Sequence, residues 1–188
     1  MKIKLFFFGI IAALGAMIVE LVLKNILSSE ISLANNFFTI ITPSLVLFAL
    51  VEEIFKFVVI NKTVLLLKKP AEAFFRALLI GLGFSLTEIY LAFAGIFFRQ
   101  SNYLLAILGI LIIHISTSLL FGYFSFKKSP LSKTTFAAIL IFATLLHLLY
   151  NIFIIYNLSP TIILIYLFVL SSLSFSIFYR IIKAKNVP

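Results

Sequence analysis

Apolar residues form six long runs along the chain, each about as long as a helix must be to cross the hydrocarbon core of a bilayer. Within a few residues, the runs cover Leu5 to Leu23, Phe37 to Ile60, Phe74 to Phe98, Tyr103 to Phe126, Thr135 to Tyr156 and Pro160 to Tyr179. The short alternating segments that are typical of a membrane barrel do not occur. Because backbone groups in lipid must be paired inside each segment, the runs predict six transmembrane helices.

The composition supports this interpretation. Of the 188 residues, 63% are hydrophobic and 11% are charged, and the mean hydropathy is +1.25. Soluble globular domains contain about 25% charged residues, so a soluble domain is excluded. The chain has no Cys, which excludes disulfides, thiolate metal sites and cysteine nucleophiles. The connecting segments are short and no internal repeat divides the chain, so we expect a single all-α domain over residues 1–188.

Positive charges are distributed unequally between the two ends of the predicted spans. Lys24 and Arg99 occur at one end, Lys56 lies inside a span, and the other twelve of the fifteen occur at the opposite end. These twelve are Lys2, Lys4, Lys62, Lys68, Lys69, Arg76, Lys127, Lys128, Lys133, Arg180, Lys183 and Lys185. Cytoplasmic loops carry the excess of Lys and Arg, so we expect both termini to be cytoplasmic. The net charge of +9 favours a lipid bilayer as the partner, and no basic groove with interleaved aromatic residues indicates nucleic acid.

Ionisable residues are concentrated inside four of the predicted spans, where burial is expensive and commonly marks function. They are Glu52, Glu53 and Lys56 on the second span, Glu88 on the third, His114 on the fourth and His147 on the fifth, with Asn151 one turn after His147. At a helical rise of about 1.5 Å per residue, the carboxylates and imidazoles can share one layer of the bilayer. We therefore predict that these side chains meet inside the bundle.

Helical spacing predicts which of these residues lie on the same face of a helix. His147 and Asn151 share one face of their helix, and Glu52 and Lys56 share another. Small residues on the face of Glu88 predict close helix packing that turns this carboxylate inward. These small residues are Gly81, Ser85, Ala92 and Gly95. Glu20 and Lys24, near the outer end of the first span, are interpreted as a boundary pair with a snorkelling lysine.

Structural explanations exist for each residue taken alone. Glu52 and Lys56 could form an ion pair that reduces the free energy of burial, a lone histidine could be an interhelical donor, and Asn151 could be a packing residue. The occurrence of all of them on four different helices favours a functional site. Carboxylates, imidazoles and a carboxamide in a low-dielectric layer can carry out hydrolysis by general acid and base catalysis.

Water is the expected nucleophile, because the chain has no Cys and no Ser with a partnered base. A protonated histidine or the Asn151 amide could stabilise an oxyanion. His114 and His147, with Glu53 or Glu88, could hold a zinc ion with one open position. The HExxH spacing is absent, so the residues permit zinc without requiring it, and a metal-free mechanism stays open.

Four motifs resemble those of the PrsW family of intramembrane proteases, within the CAAX-protease and bacteriocin-processing superfamily. Residues 51–56 resemble the EExxK signature, and residues 81–88 with Tyr90 resemble the second motif. Residues 114–118, closing with 122–123, resemble the third motif, and residues 147–151 resemble the fourth. The four occur in the order that the family has. Ile89 is a departure, because the family usually has Asn at this position.

This resemblance implies a membrane-embedded endopeptidase, in a prokaryotic cytoplasmic membrane, that cuts membrane-anchored proteins such as anti-sigma factors. It also implies that the double glutamate and the histidines are essential. Two other functions stay open. Intramembrane Glu and His residues also occur in small ion- or proton-coupled transporters. A non-catalytic scaffold or immunity protein could retain the same fold, although such a protein should lack at least one motif residue.

Overall fold

The computed structural model describes residues 2–27, 43–65, 67–94, 103–127 and 131–184. Within these ranges the chain forms six α-helices and no strand, which confirms the predicted all-α architecture. The helices are α1 (Lys2–Leu27), α2 (Pro43–Val64), α3 (Pro70–Ala94), α4 (Tyr103–Lys127), α5 (Lys133–Ile155) and α6 (Pro160–Ala184). Each overlaps one predicted run, with ends that differ by a few residues. Positions 37–42 and 95–98 of the predicted runs lie outside the described residues.

Local signals explain where the helices begin and end. The helices α2, α3 and α6 each begin at a proline, which suits the first helical position because its missing N–H would be unpaired there. At the start of α5, the backbone N–H of Thr135 donates to Ser132 Oγ at 3.2 Å. Beyond the end of α5, Asn157 adopts the left-handed conformation, with φ at 48°, that often terminates helices. Several helices therefore begin or end a few residues outside the predicted apolar runs.

Five helices, α1 and α3 to α6, are long and apolar enough to cross a membrane. The helix α2 differs because Glu52, Glu53 and Lys56 occupy its middle. The chain is therefore an integral membrane protein with a polytopic helical bundle. The cytoplasmic position of the two termini stays a prediction.

Close backbone contacts fix the packing of α3 against α1 and α4. A Cβ atom on Gly83 would collide with the carbonyl group of Phe6 and would lie 3.2 Å from the Cα atom of Gly9. A Cβ atom on Gly81 would lie 2.9 Å from Ser118 Oγ. Small residues thus let α3 approach α1 and α4 closely. Gly81 belongs to the predicted stripe of small residues and makes such a contact. Gly95 of the same stripe lies outside the described residues.

Two apolar clusters lie on either side of a polar layer. One cluster, toward the end of the bundle where most lysines occur, is built around Ile60, Ile80 and Phe121. The other, toward the opposite end, includes Ile113 and Leu170. The helix α4 is the most deeply buried of the five spans and contacts α2, α3, α5 and α6. It therefore brings polar side chains from several helices to one place.

Candidate active site

The structure brings together the predicted carboxylates, histidines and lysine from four helices. Glu52, Glu53 and Lys56 come from α2, Glu88 comes from α3, His114 comes from α4 and His147 comes from α5. The rings of the two histidines are perpendicular, with centroids 5.0 Å apart. The predicted convergence in one layer is therefore present in the structure.

Four of these side chains point one ligand-type atom toward a common centre. They are Glu52, Glu88, His114 and His147, and the four atoms lie within 4.8 Å of one another. Glu52 Oε2 is 3.7 Å from His147 Nε2 and 3.9 Å from His114 Nε2. Glu88 Oε2 contacts His114 Nε2 directly. Two histidines and two carboxylates are a donor set that suits a divalent transition metal.

Glu53 lies behind this group rather than in it. Its Oε1 atom accepts a hydrogen bond of 2.8 Å from Nδ1 of His147, and its side chain is fully buried. With the hydrogen on Nδ1, the lone pair of Nε2 faces the centre, where Glu52 lies. A carboxylate in this position orients the imidazole and increases its basicity as a metal ligand. Of the two carboxylates that the sequence offered as a third ligand, the one that faces the common centre is thus Glu88.

Lys56 is the second buried residue that supports the histidines from behind. Its Nζ atom is 2.5 Å from Glu53 Oε1, and both side chains are fully buried. It also donates to His114 Nδ1 and to Thr117 Oγ1, each at 2.9 Å. All three ammonium hydrogens are therefore used. The sequence suggested Glu52 as the partner of Lys56, but in the structure the ion pair is with Glu53.

The two histidines differ in the position of their hydrogen. A lysine ammonium group can only donate, so Nδ1 of His114 accepts from Lys56 and its Nε2 carries the hydrogen that faces Glu88. His147 instead presents a lone pair at Nε2. Metal uptake at His114 must release its Nε2 hydrogen, which agrees with the general release of protons when a metal binds to histidines.

A cavity of about 420 Å³ opens onto this centre from the end of the bundle opposite to the lysine-rich end. Glu52, Glu88 and Asn151 contribute polar groups to its wall, which is otherwise largely apolar. Asn151 therefore faces the same space as the two carboxylates, one turn from His147. The volume lies in the range of small-ligand sites and could admit several residues of an extended peptide.

Glu20 also lines this cavity, which the sequence did not suggest. The carboxyl groups of Glu20 and Glu52 therefore border the same cavity. The structure differs from the interpretation of Glu20 as a boundary residue, because Glu20 borders the cavity, whereas Lys24 is exposed, as expected of a snorkelling lysine. The small face of α1 at Ala13 and Ala16, which pack near Phe84, was the available signal that Glu20 faces the bundle.

Two unpaired atoms in the structure indicate that these residues can bind a metal ion. Glu52 Oε2 and His147 Nε2 are buried, and neither has a hydrogen-bond partner. Unpaired buried polar atoms are energetically unfavourable and are rare without a cause. Both atoms belong to the group of four that points toward the common centre, so one ion bound there would satisfy both.

Comparison with known proteins gives one match. The family model described as PrsW family intramembrane metalloprotease matches residues 1–177, which includes all six helices except the end of α6. No curated protein and no solved structure matches the chain.

Proposed function

Because the chain belongs to the PrsW family of intramembrane metalloproteases, we propose that it cuts membrane-anchored proteins of the anti-sigma-factor type at the cavity beside Glu52. The chain is an intramembrane peptidase, and its substrate is a membrane protein. A prokaryotic cytoplasmic membrane is the location that we propose, with both termini on the cytoplasmic side. The wider relationship to the CAAX-protease and bacteriocin-processing superfamily stays a prediction from the motifs.

We assign zinc as the metal and His114, His147 and Glu88 as its protein ligands. Two imidazoles and one carboxylate are a common ligand set of catalytic zinc, which leaves a position for water or substrate. A bound zinc ion would supply Lewis acidity to a peptide carbonyl and favour the ionisation of water. Glu53 and Lys56 hold the two rings from behind through the Nδ1 atoms.

Glu52 is the general base in this proposal. Its Oε2 atom is unpaired, lies close to both Nε2 atoms and lines the cavity. From this position the carboxylate can take a proton from a water molecule and return it to the leaving amine. The buried side chains of Ala13, Ala16 and Phe84 exclude bulk water from this wall.

Asn151 is assigned to the oxyanion. It lies on the face of α5 that carries His147 and borders the cavity that contains Glu52 and Glu88. Its carboxamide N–H can donate to the negative oxygen that develops when water attacks a carbonyl. The position of the amide thus complements that of the base across the same space.

The single observation that carries this proposal is the pair of unpaired, buried atoms, Glu52 Oε2 and His147 Nε2, in a group of two histidines and two glutamates. A test is metal analysis of the purified chain beside cleavage of a panel of single-span substrates, with and without a chelator. We expect one zinc ion per chain and cleavage that the chelator stops and added zinc restores.

Two variants distinguish the loss of the site from a general effect on the protein. His147→Ala should lose both the metal and cleavage, whereas Glu72→Gln, at an exposed position at the start of α3, should lose neither. Cleavage by a metal-free protein that ignores the chelator would exclude the zinc assignment. Undiminished cleavage by His147→Ala would exclude this site as the active site.

A further inference from the structure

A second cavity, which shares no lining residue with the first, lies between α4, α5 and α6. It has a volume of about 540 Å³ and opens at the surface of the bundle. Its wall is mostly apolar, and we call it the basic groove because of the residues at its end. The apolar wall consists of Leu120, Phe124, Ile139, Phe142, Leu173 and Ile177.

The packing of the helices explains this groove. Both α5 and α6 pack against α4, but α5 and α6 are not among the helix pairs with extensive contacts in the described ranges. They therefore diverge around α4 and leave a gap between them. Large side chains at the gap, such as Phe142, are exposed rather than buried by protein. In a membrane, an acyl chain of a lipid is the natural occupant of such an apolar gap.

Two cations and a hydroxyl group lie at the lysine-rich end of the groove. Lys127 Nζ donates to the Tyr123 hydroxyl at 3.2 Å and lies 5.5 Å from the centre of the tyrosine ring. Tyr123 and Arg180 line the groove directly, and none of the residues that line it is acidic.

Two positive side chains thus lie at one end of the groove, Lys127 beside Tyr123 and Arg180 on the wall itself, without a carboxylate among the groove residues. Their mutual repulsion is relieved if an anion binds between them. A guanidinium group matches the oxygens of a phosphate in particular, because its N–H groups form two parallel hydrogen bonds. The cation pair and the apolar wall are continuous, so one molecule with a phosphate head and an apolar tail fits both.

We propose that the basic groove binds an anionic phospholipid, with its phosphate between Lys127 and Arg180 and an acyl chain along the wall formed by α5 and α6. Basic pockets between transmembrane helices bind anionic headgroups in this manner. The inference does not depend on the catalytic proposal, because none of its residues lines the cavity that contains Glu52.

The test measures which lipid stays bound to the protein. The full chain in a non-ionic detergent is mixed with equal amounts of phosphatidylglycerol and phosphatidylcholine that carry the same acyl chains. Native mass spectrometry then counts the retained lipids. We expect the unmodified chain to retain phosphatidylglycerol about tenfold better, the effect of roughly one charged hydrogen bond. Arg180→Gln should reduce this preference to near parity.

A matched control removes one positive charge elsewhere at the same end of the bundle. Lys68 is exposed in the segment between α2 and α3, and Lys68→Gln should leave the preference unchanged. An equal loss in both variants would overturn the proposal, since the lipid would then respond to the overall positive charge. A full preference in Arg180→Gln would overturn it as well.

Two further measurements distinguish a lipid from a free phosphate. Ala138 is exposed and lines the groove, so Ala138→Trp should fill it while all charges remain, and lipid retention should fall. Glycerol 3-phosphate, which has the headgroup chemistry without the chains, should not displace the bound lipid. Displacement by this compound, or full retention by Ala138→Trp, would contradict the assignment of an acyl chain to the groove.

Discussion

The side of the histidine pair that faces the bundle interior differs from the side that faces the cavity in how its polar atoms are satisfied. On the interior side, Glu53 and Lys56 are fully buried, Lys56 uses all of its donors, and Glu53 is paired through Oε1 but not through Oε2. On the cavity side, the side chains of Glu52 and Glu88 are 13% and 30% exposed, and Glu52 Oε2 has no partner. The same layer thus contains a fully buried ion pair that supports the histidines on one side and partly exposed carboxylates beside the cavity on the other.

This difference indicates that the two sides of the histidine pair have different functions. The buried ion pair and the hydrogen bonds to Nδ1 of both histidines hold these side chains in place, because breaking any of them would leave a further buried polar group unpaired. The interior side can therefore orient the imidazoles. On the cavity side, the unpaired atoms Glu52 Oε2 and His147 Nε2 are available to a metal, water or substrate.

The largest effect on activity is expected on the cavity side. Glu52→Gln should lower kcat/KM by about 10²- to 10⁴-fold, because the amide cannot accept the proton from water. The zinc content should be unchanged if Glu52 is the base and not a ligand. Peptidase kinetics with metal analysis measure both quantities. Loss of the metal together with activity would instead make Glu52 a ligand.

The largest effect on stability is expected on the interior side. Lys56→Met leaves the Glu53 carboxylate buried without its cation, and breaking such a pair destabilises a protein by about 3 to 5 kcal/mol. Denaturant unfolding in detergent measures the change in the free energy of unfolding. The control Lys62→Met removes an exposed charge from the same helix and should change little. A similarly small change for Lys56→Met would show that Glu53 is not ionised.

A smaller effect on the metal is expected from Glu53→Gln. The substitution keeps an acceptor for His147 Nδ1 but removes the negative charge behind the ring. Loss of such a supporting carboxylate typically lowers metal affinity by about 10- to 100-fold. Competition with a chromogenic chelator measures the Kd for zinc, and Glu72→Gln is the control for a change of charge alone. An unchanged Kd would contradict the role of Glu53 as the support of His147.

The smallest effect is expected from Glu20, which borders the same cavity as Glu52. We expect its side chain to position Glu52 through a hydrogen bond, so Glu20→Leu should lower kcat by about tenfold or less, with KM unchanged, since one hydrogen bond contributes about 0.5 to 1.5 kcal/mol. Glu20→Gln can still donate to Glu52 and should restore most of kcat. Lys24→Gln, one turn away and exposed, is the control. Equal losses of kcat in the Leu and Gln variants would exclude positioning through this hydrogen bond.

The sequence was sufficient to predict the helices and the convergence of the motif residues. Runs of about 20 apolar residues have few alternatives in a bilayer, and a charged residue inside such a run must face the interior. Helical spacing was not sufficient to predict the partner of Lys56. Residues three and four positions away are both within reach on a helix, so Glu52 and Glu53 were both possible. Contacts with His114 and Thr117 from α4 decide in favour of Glu53.

Glu20 shows the limit of the sequence most clearly. One turn before Lys24 and near the end of an apolar run, it has the features of a boundary residue. Its role depends on the cavity that the helices α1 to α5 enclose. The basic groove is similar, because it exists only where α5 and α6 diverge around α4.

The amino-acid sequence by itself determined that this chain is a helical membrane protein with Glu52, Glu53, Glu88, His114 and His147 in its interior, because the bilayer restricts both secondary structure and the position of charge. Only the tertiary structure decided which atoms face one another: which carboxylate supports His147, which carboxylate remains free, and which helices leave cavities. These choices depend on contacts between residues far apart in the chain, and on distances of a few ångströms that helical periodicity does not specify.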